Sequence, residues 1–290
     1  MGKEAIYRRL RGEVAFTFEE VSLISQHLGI SLDKIVGRRM LNDTMFDLNL
    51  LHTGDPIESY YEILVRYAKL FDLLRDDPTA SVATASNLIP FTFYSPYECL
   101  SKFRLGRWIY HHGKMKPPAS LSDLQVPDKV PQMHWKLSAS IRQLSHTSFI
   151  WDYNIFRSIV KEIRYFAGLD LLSAEDVRNM KKELGLLLSE LEAVTTTGEF
   201  SKGHSLAIYL SDINFEATYT YVEKGDFQAC LFRVYSINSM DSQNPRMCNI
   251  QKNWIQSLKR HSTLISQSSE IQRRQFFNEQ REIVESLQEA

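Results

Sequence analysis

An α+β fold, predominantly helical, is what this sequence predicts, and three observations predict it. Glycine and proline number only 12 and 9 in 290 residues, which leaves few tight turns and favours long helices. Apolar residues recur at helical spacing through much of the chain up to residue 194. After residue 200 the period switches from 3.6 to 2. The expected order is a short N-terminal helix pair within 1–40, a linker at 41–56, and a larger domain at 57–290. That domain is expected to be helical, with a small three-stranded antiparallel sheet at about 205–237 and two C-terminal helices.

Residues 3–11 read as a helix with Ile6 and Leu10 on one face, closed by Gly12 in the left-handed conformation. Thr17 with Glu20 three residues on makes a capping box, and Val21, Ile24 and Leu28 stripe the helix 17–28 that it starts. Ile30, Leu32, Ile35 and Val36 form a further apolar cluster, with Ser31 and Asp33 as caps of a last helical turn. The stretch 38–56 loses periodicity and ends in the breaker TGDP. Tyr60, Tyr61, Leu64, Val65, Ala68 and Phe71 then restore it over 57–74, and 91–113 is an aromatic helical segment. Four prolines make 114–131 a connector. Helices follow at 154–167 and 174–194, the second started by a capping box on Ser173 and Asp176. Alternation predicts strands at about 205–212, 216–223 and 227–237, with EKGD (223–226) as a turn, before helices at 246–261 and 269–288.

Composition narrows the function classes. A hydrophobic content of 43% supports a sizeable core, and a net charge of −1 removes any overall basic bias, so nucleic-acid binding must come from a local patch. Cys99, Cys230 and Cys248 are odd in number and widely spaced, which fits a reducing compartment. With no signal-like stretch and no long apolar run, the expectation is a cytoplasmic protein with no membrane partner. The sequence carries no G-x-S-x-G, H-E-x-x-H, P-loop or G-x-G-x-x-G, and no cofactor, metal site or enzymatic activity is expected. His111 and His112 are adjacent, so their side chains diverge by about 100° on a helix and make a poor metal pair.

Two segments could hold a ligand or an anion. FIWDYNIF (149–156) embeds Asp152 next to Trp151 in an aromatic run, as small-molecule pockets do. The stretch 260–277 places serines and threonines before a helix start, beside Arg260, Arg273 and Arg274, where an anion could sit. The plainer reading of both is core packing and helix capping.

IYRRLRGEVAFTFEEVSLISQHLGISLDKIVG (6–37) carries the strongest signal. It resembles the second half of a Cro/repressor-type (XRE-like) helix-turn-helix domain. Ile6, Arg8, Arg11 and Gly12 match the recognition-helix phrase, and Leu23, Ile24 and Leu28 through Asp33 and Ile35 match the closing phrase. The resemblance implies a transcriptional regulator with a recognition helix at 3–11, a backing helix at 17–28, a helix-turn-helix core of Ile6, Leu10, Val21, Ile24 and Leu28, and an effector or dimerisation domain behind it. Lys3, Tyr7, Arg8 and Arg11 are then the donors to bases and phosphates of double-stranded operator DNA. A homodimer is implied, with 57–74 and 269–288 as interface candidates, together with an unidentified small-molecule or protein effector. The two helices that precede the recognition helix in such domains have no counterpart before Lys3, so DNA binding by this chain is expected to be impaired. The alternative is a ligand-binding or scaffold protein that does not bind DNA, and the codons upstream of Met1 discriminate the two.

Overall fold

The computed structural model describes residues 3–28, 32, 46–49, 54–112, 121–214 and 216–287. The chain divides into two units, Met1–Phe46 and Asp47–Ala290. The expected cluster Ile30–Val36 lies outside the described residues apart from Leu32, as do 38–45, 50–53 and 113–120.

In the first unit, α1 (Lys3–Leu10) ends where Gly12 turns with φ +76°, and α2 (Phe18–Leu28) begins at a complete capping box. The Thr17 N–H donates to Glu20 Oε2 at 2.9 Å, and the Glu20 N–H donates to Thr17 Oγ1 at 3.3 Å. Glu20 also accepts from Arg9 Nε at 2.9 Å, which ties the two helices together. The capping hydrogen bonds hold the Glu20 carboxyl below the usual range, with the Arg9 bond adding to the effect.

The second unit departs from the expected three-stranded antiparallel sheet. Among the described residues it holds nine strands in one mixed sheet. In chain order these are β1 (Asp47–Asn49), β2 (Ser81–Ser86), β3 (His146–Asp152), β4 (Glu199–Ser201), β5 (His204–Ser211), β6 (Tyr219–Lys224), β7 (Phe227–Tyr235), β8 (Asn238–Ser242) and β9 (Ser262–Leu264). Their spatial order is β1-β8-β7-β6-β2-β3-β5-β4, with β9 on β5. The centre, β2-β3-β5, is parallel. The hairpin β6-β7 turns at 224–227 and adds antiparallel to β2, so the expected pairing of β5 with β6 does not occur. β1 falls inside the expected linker and pairs with β8.

The physical reason for the correction lies in β2 and β3. A parallel strand needs a crossover, and crossover helices cover it, so it does not show the in-out alternation that marks a half-exposed strand. In β3 (HTSFIWD) the five residues from Thr147 to Trp151 are all buried. In β2 (SVATAS) small and hydroxyl side chains pack the centre. Thr84 Oγ1 meets Thr220 Oγ1 of β6 at 2.9 Å, and Ser86 Oγ meets Thr218 Oγ1, just before β6, at 2.9 Å, so hydroxyls of β2 pair with those of the neighbouring chain segment.

Helices cover the sheet unequally. One face packs against α3 (Pro56–Leu74), the short α4 (Phe91–Tyr94), α5 (Glu98–His111), α6 (Lys129–Arg142), α7 (Arg157–Ala167), α8 (Ala174–Thr197) and α10 (Glu270–Glu285), around a core that includes Tyr60, Leu64, Trp108, Phe149, Trp151, Leu184 and Phe276. The other face carries α9 (Pro245–Arg260), whose Cys248, Ile255 and Leu258 meet Ala85, Ile150, Tyr219, Tyr221 and Cys230. Helix α8 starts at a complete capping box on Ser173 and Asp176 and ends at Gly198, with φ +69°. Asp176 also accepts the Leu121 N–H at 3.1 Å, which anchors the proline-rich connector partway along its length. Among the described residues no helix is long and apolar enough to cross a membrane.

Candidate functional site

Helix α1 is a short cationic helix without a buried residue. Lys3, Arg8 and Arg11 are exposed, and Tyr7 is 61% exposed. Glu13 bridges two of these donors, 3.4 Å from Arg8 and 3.5 Å from Arg11. The apolar residues assigned to the helix-turn-helix core are open: Ile6 is 42%, Ile24 41%, Leu10 69% and Leu28 62% exposed, and Val21 is half-buried.

The residues expected to hold a ligand at 151–152 and 260–274 have separate structural duties. Trp151 is fully buried in the central strand, against the rings of Phe93, Phe149 and Phe276. Asp152 accepts the Asn154 N–H at 2.6 Å and so shapes the turn after β3. Arg273 donates to the carbonyls of Ile265 and Ser268 at 3.0 and 3.1 Å, closing the loop before α10. Arg274 pairs with Glu270 one turn away on an exposed face, and Arg260 is exposed at the end of α9. The faces expected to form a dimer interface are occupied as well. Tyr60, Leu64 and Phe71 of α3 and Phe276 and Phe277 of α10 are buried in the chain's own core.

A different place in the second unit has the makings of a binding site. Leu100, Arg104 and Trp108 follow at four-residue steps, so α5 carries a guanidinium on its apolar face. In β7, Ala229, Leu231 and Arg233 alternate onto the same side of the sheet. Both arginines line a chamber between that face and α3–α6, about 820 Å³ including its open mouth. Its walls are mostly apolar: Tyr67, Leu70, Phe71, Val82, Phe91, Leu137, Ile141, Phe149, Val222, Leu231 and Ile237. Thr84, Thr92, Thr218, Thr220 and Ser239 supply hydroxyls, and among the described residues no carboxylate lines it. A second, more polar cleft shares Arg104, Thr218 and Arg233 with the chamber. Its one arginine beyond these, Arg107, is paired with Glu162.

The two shared arginines are held differently. Arg104 is buried, lies 4.5 Å from the centre of the Phe91 ring, donates to Tyr94 Oη at 2.6 Å and reaches the Ser236 carbonyl at 3.4 Å. Its Nε is buried without a partner among the described residues. Arg233 is partly buried, and among the described residues its guanidinium makes no hydrogen bond or ion pair within the protein. Burial, together with the neighbouring Arg104 charge, holds Arg233 below the usual arginine range. Next to Arg104, the buried His134 ring is hydrogen-bonded to Tyr60 Oη at 3.1 Å and packs against Phe91. Burial and the Arg104 charge push its imidazolium down to about 3.

Neither arginine stands out by motif. The signal available in the sequence is a charge placed on an apolar stripe, at i+4 between Leu100 and Trp108 and at i+2 after Leu231. Comparison with family models, with curated proteins and with solved structures gave no match.

Proposed function

We propose that this chain is a cytoplasmic transcriptional regulator of the Cro/repressor helix-turn-helix type, in which 47–290 receives an effector and α1 contacts double-stranded DNA as part of a homodimer. The observation that carries the reading is the exposed cationic surface of α1. Lys3, Tyr7 and Arg8 face solvent on a helix of eight residues and Arg11 on the turn that follows it, backed by a second, well-capped helix. Long donors on a short helix are what phosphate and base-edge contacts require. The chamber beside Arg104 and Arg233 gives the second unit a place for the effector. The dimer interface must lie outside the buried faces of α3 and α10.

Fluorescence anisotropy with labelled genomic fragments tests the reading on the full chain. Binding weakens linearly on a log–log plot as salt rises, with a slope near −0.9 for each phosphate neutralised. Arg8→Ala and Arg11→Ala each weaken binding and flatten that slope. Glu13→Gln, which frees both arginines from an exposed carboxylate, strengthens binding by about two- to fivefold at low salt. Absence of affinity for any fragment at low salt removes the DNA-reading role and leaves a ligand-binding or scaffold protein.

A further inference from the structure

We infer that the chamber between the sheet and α3–α6 binds a small organic carboxylate, its charge held by Arg104 and Arg233 and its apolar body against Phe71, Leu137 and Phe149. The inference names the effector class for the site proposed above, and it rests on that reading of the chamber.

Charge is the first argument. Two guanidiniums that repel one another line the chamber, one from α5 and one from β7, and no acid lines it among the described residues. Within the chamber, among the described residues, neither guanidinium has a counter-charge, since Glu162 and Glu216 line the adjoining cleft instead, and an anion arriving from solution offsets the cost of holding two cations together. Arg104 is positioned by Phe91, Tyr94 and Ser236, with its Nε unused, while the Arg233 guanidinium is committed to nothing among the described residues. A rigid fork with free N–H groups beside a second cation matches the two oxygens of a carboxylate.

Size and polarity are the second. At about 820 Å³ with its open mouth, the chamber falls in the size range of small-molecule pockets. Its lining is dominated by aromatic and aliphatic side chains, so the ligand body is apolar. Thr218, shared with the polar cleft, lies where the chamber and cleft meet, and it places the charged end at the arginines. An inorganic anion alone would leave the apolar volume unfilled.

Isothermal titration calorimetry on the full chain, with phenylacetate and hexanoate as probes, tests the inference against their neutral amides and inorganic phosphate. The expected result is saturable binding of at least one acid at millimolar concentration or below, with the matching amide and phosphate weaker by about ten- to hundredfold. Arg233→Met abolishes that preference, and Arg233→Lys, which keeps the charge without the fork, retains part of it. Thermal melts establish that each variant is folded. Amides that bind as tightly as the acids, phosphate that matches them, or no response to either acid overturns the inference. DNA binding measured on the same preparation without any acid reads the regulator proposal separately, so loss of the ligand class and loss of the regulator reading are told apart.

Discussion

Trp151→Ala lowers the stability of the second unit by about 3–5 kcal/mol, the range for truncating a large buried aromatic. The indole is fully buried on the central parallel strand and touches the rings of Phe93, Phe149 and Phe276, which come from α4, β3 and α10. Its removal opens a cavity between elements far apart in sequence, and a close-packed interior relaxes only partly into such a hole. Trp151→Phe costs roughly half as much or less, because a ring remains and the Nε1–H, buried without a partner among the described residues, is removed. Urea unfolding of the two variants measures the difference. A loss below about 1 kcal/mol for the alanine variant would return Trp151 to the role of an exposed pocket wall.

Acid weakens the fold through His134. The ring is neutral in the folded state, with its imidazolium pushed to about 3, whereas an unfolded chain protonates it near 6.5. Below about 6.5 the unfolded state therefore binds the extra proton. Stability falls by about 1.4 kcal/mol per pH unit until the folded ring titrates near 3. The contribution is complete above the unfolded value and is lost as the pH falls. Between pH 7 and 4.5 the histidine's share is about 2–3 kcal/mol. His134→Gln keeps a partner for the Tyr60 hydroxyl and removes the titration. The measured quantity is the difference in pH slope between the parent and this variant, since carboxylates add their own dependence to both. Parallel slopes would mean that the folded protein accommodates the imidazolium.

What was legible in the sequence follows from which elements have one dry face. The Ser173–Asp176 capping box, the stripe from Val177 to Leu191 and the turn between β6 and β7 all announce themselves, because amphipathic helices and half-exposed hairpins carry their periodicity openly. β2 and β3 do not. Buried on both sides, β3 reads as an aromatic run that suits a pocket equally well, and β2 is mostly serine, alanine and threonine, whose hydroxyls find partners such as Thr220, Thr218 and the Leu88 carbonyl only once the chain is folded. Without these two strands the parallel centre is invisible, and the remaining strands reduce to a small antiparallel sheet. The candidate site was hidden for a related reason. Arg104 and Arg233 lie 129 positions apart and become neighbours only when β7 joins the sheet under α5. Arg260, Arg273 and Arg274, within fifteen positions of one another in sequence, are held by carbonyls, by a helix-surface carboxylate or by solvent.

In the proposed regulator, an acid bound in the chamber changes the affinity of the chain for DNA. The most direct measurement is the affinity of the full chain for its best genomic fragment, with and without saturating amounts of the acid that binds in calorimetry. The expected result is a shift of about 5- to 150-fold in either direction that vanishes in Arg233→Met. Superimposable isotherms with and without the acid would contradict it.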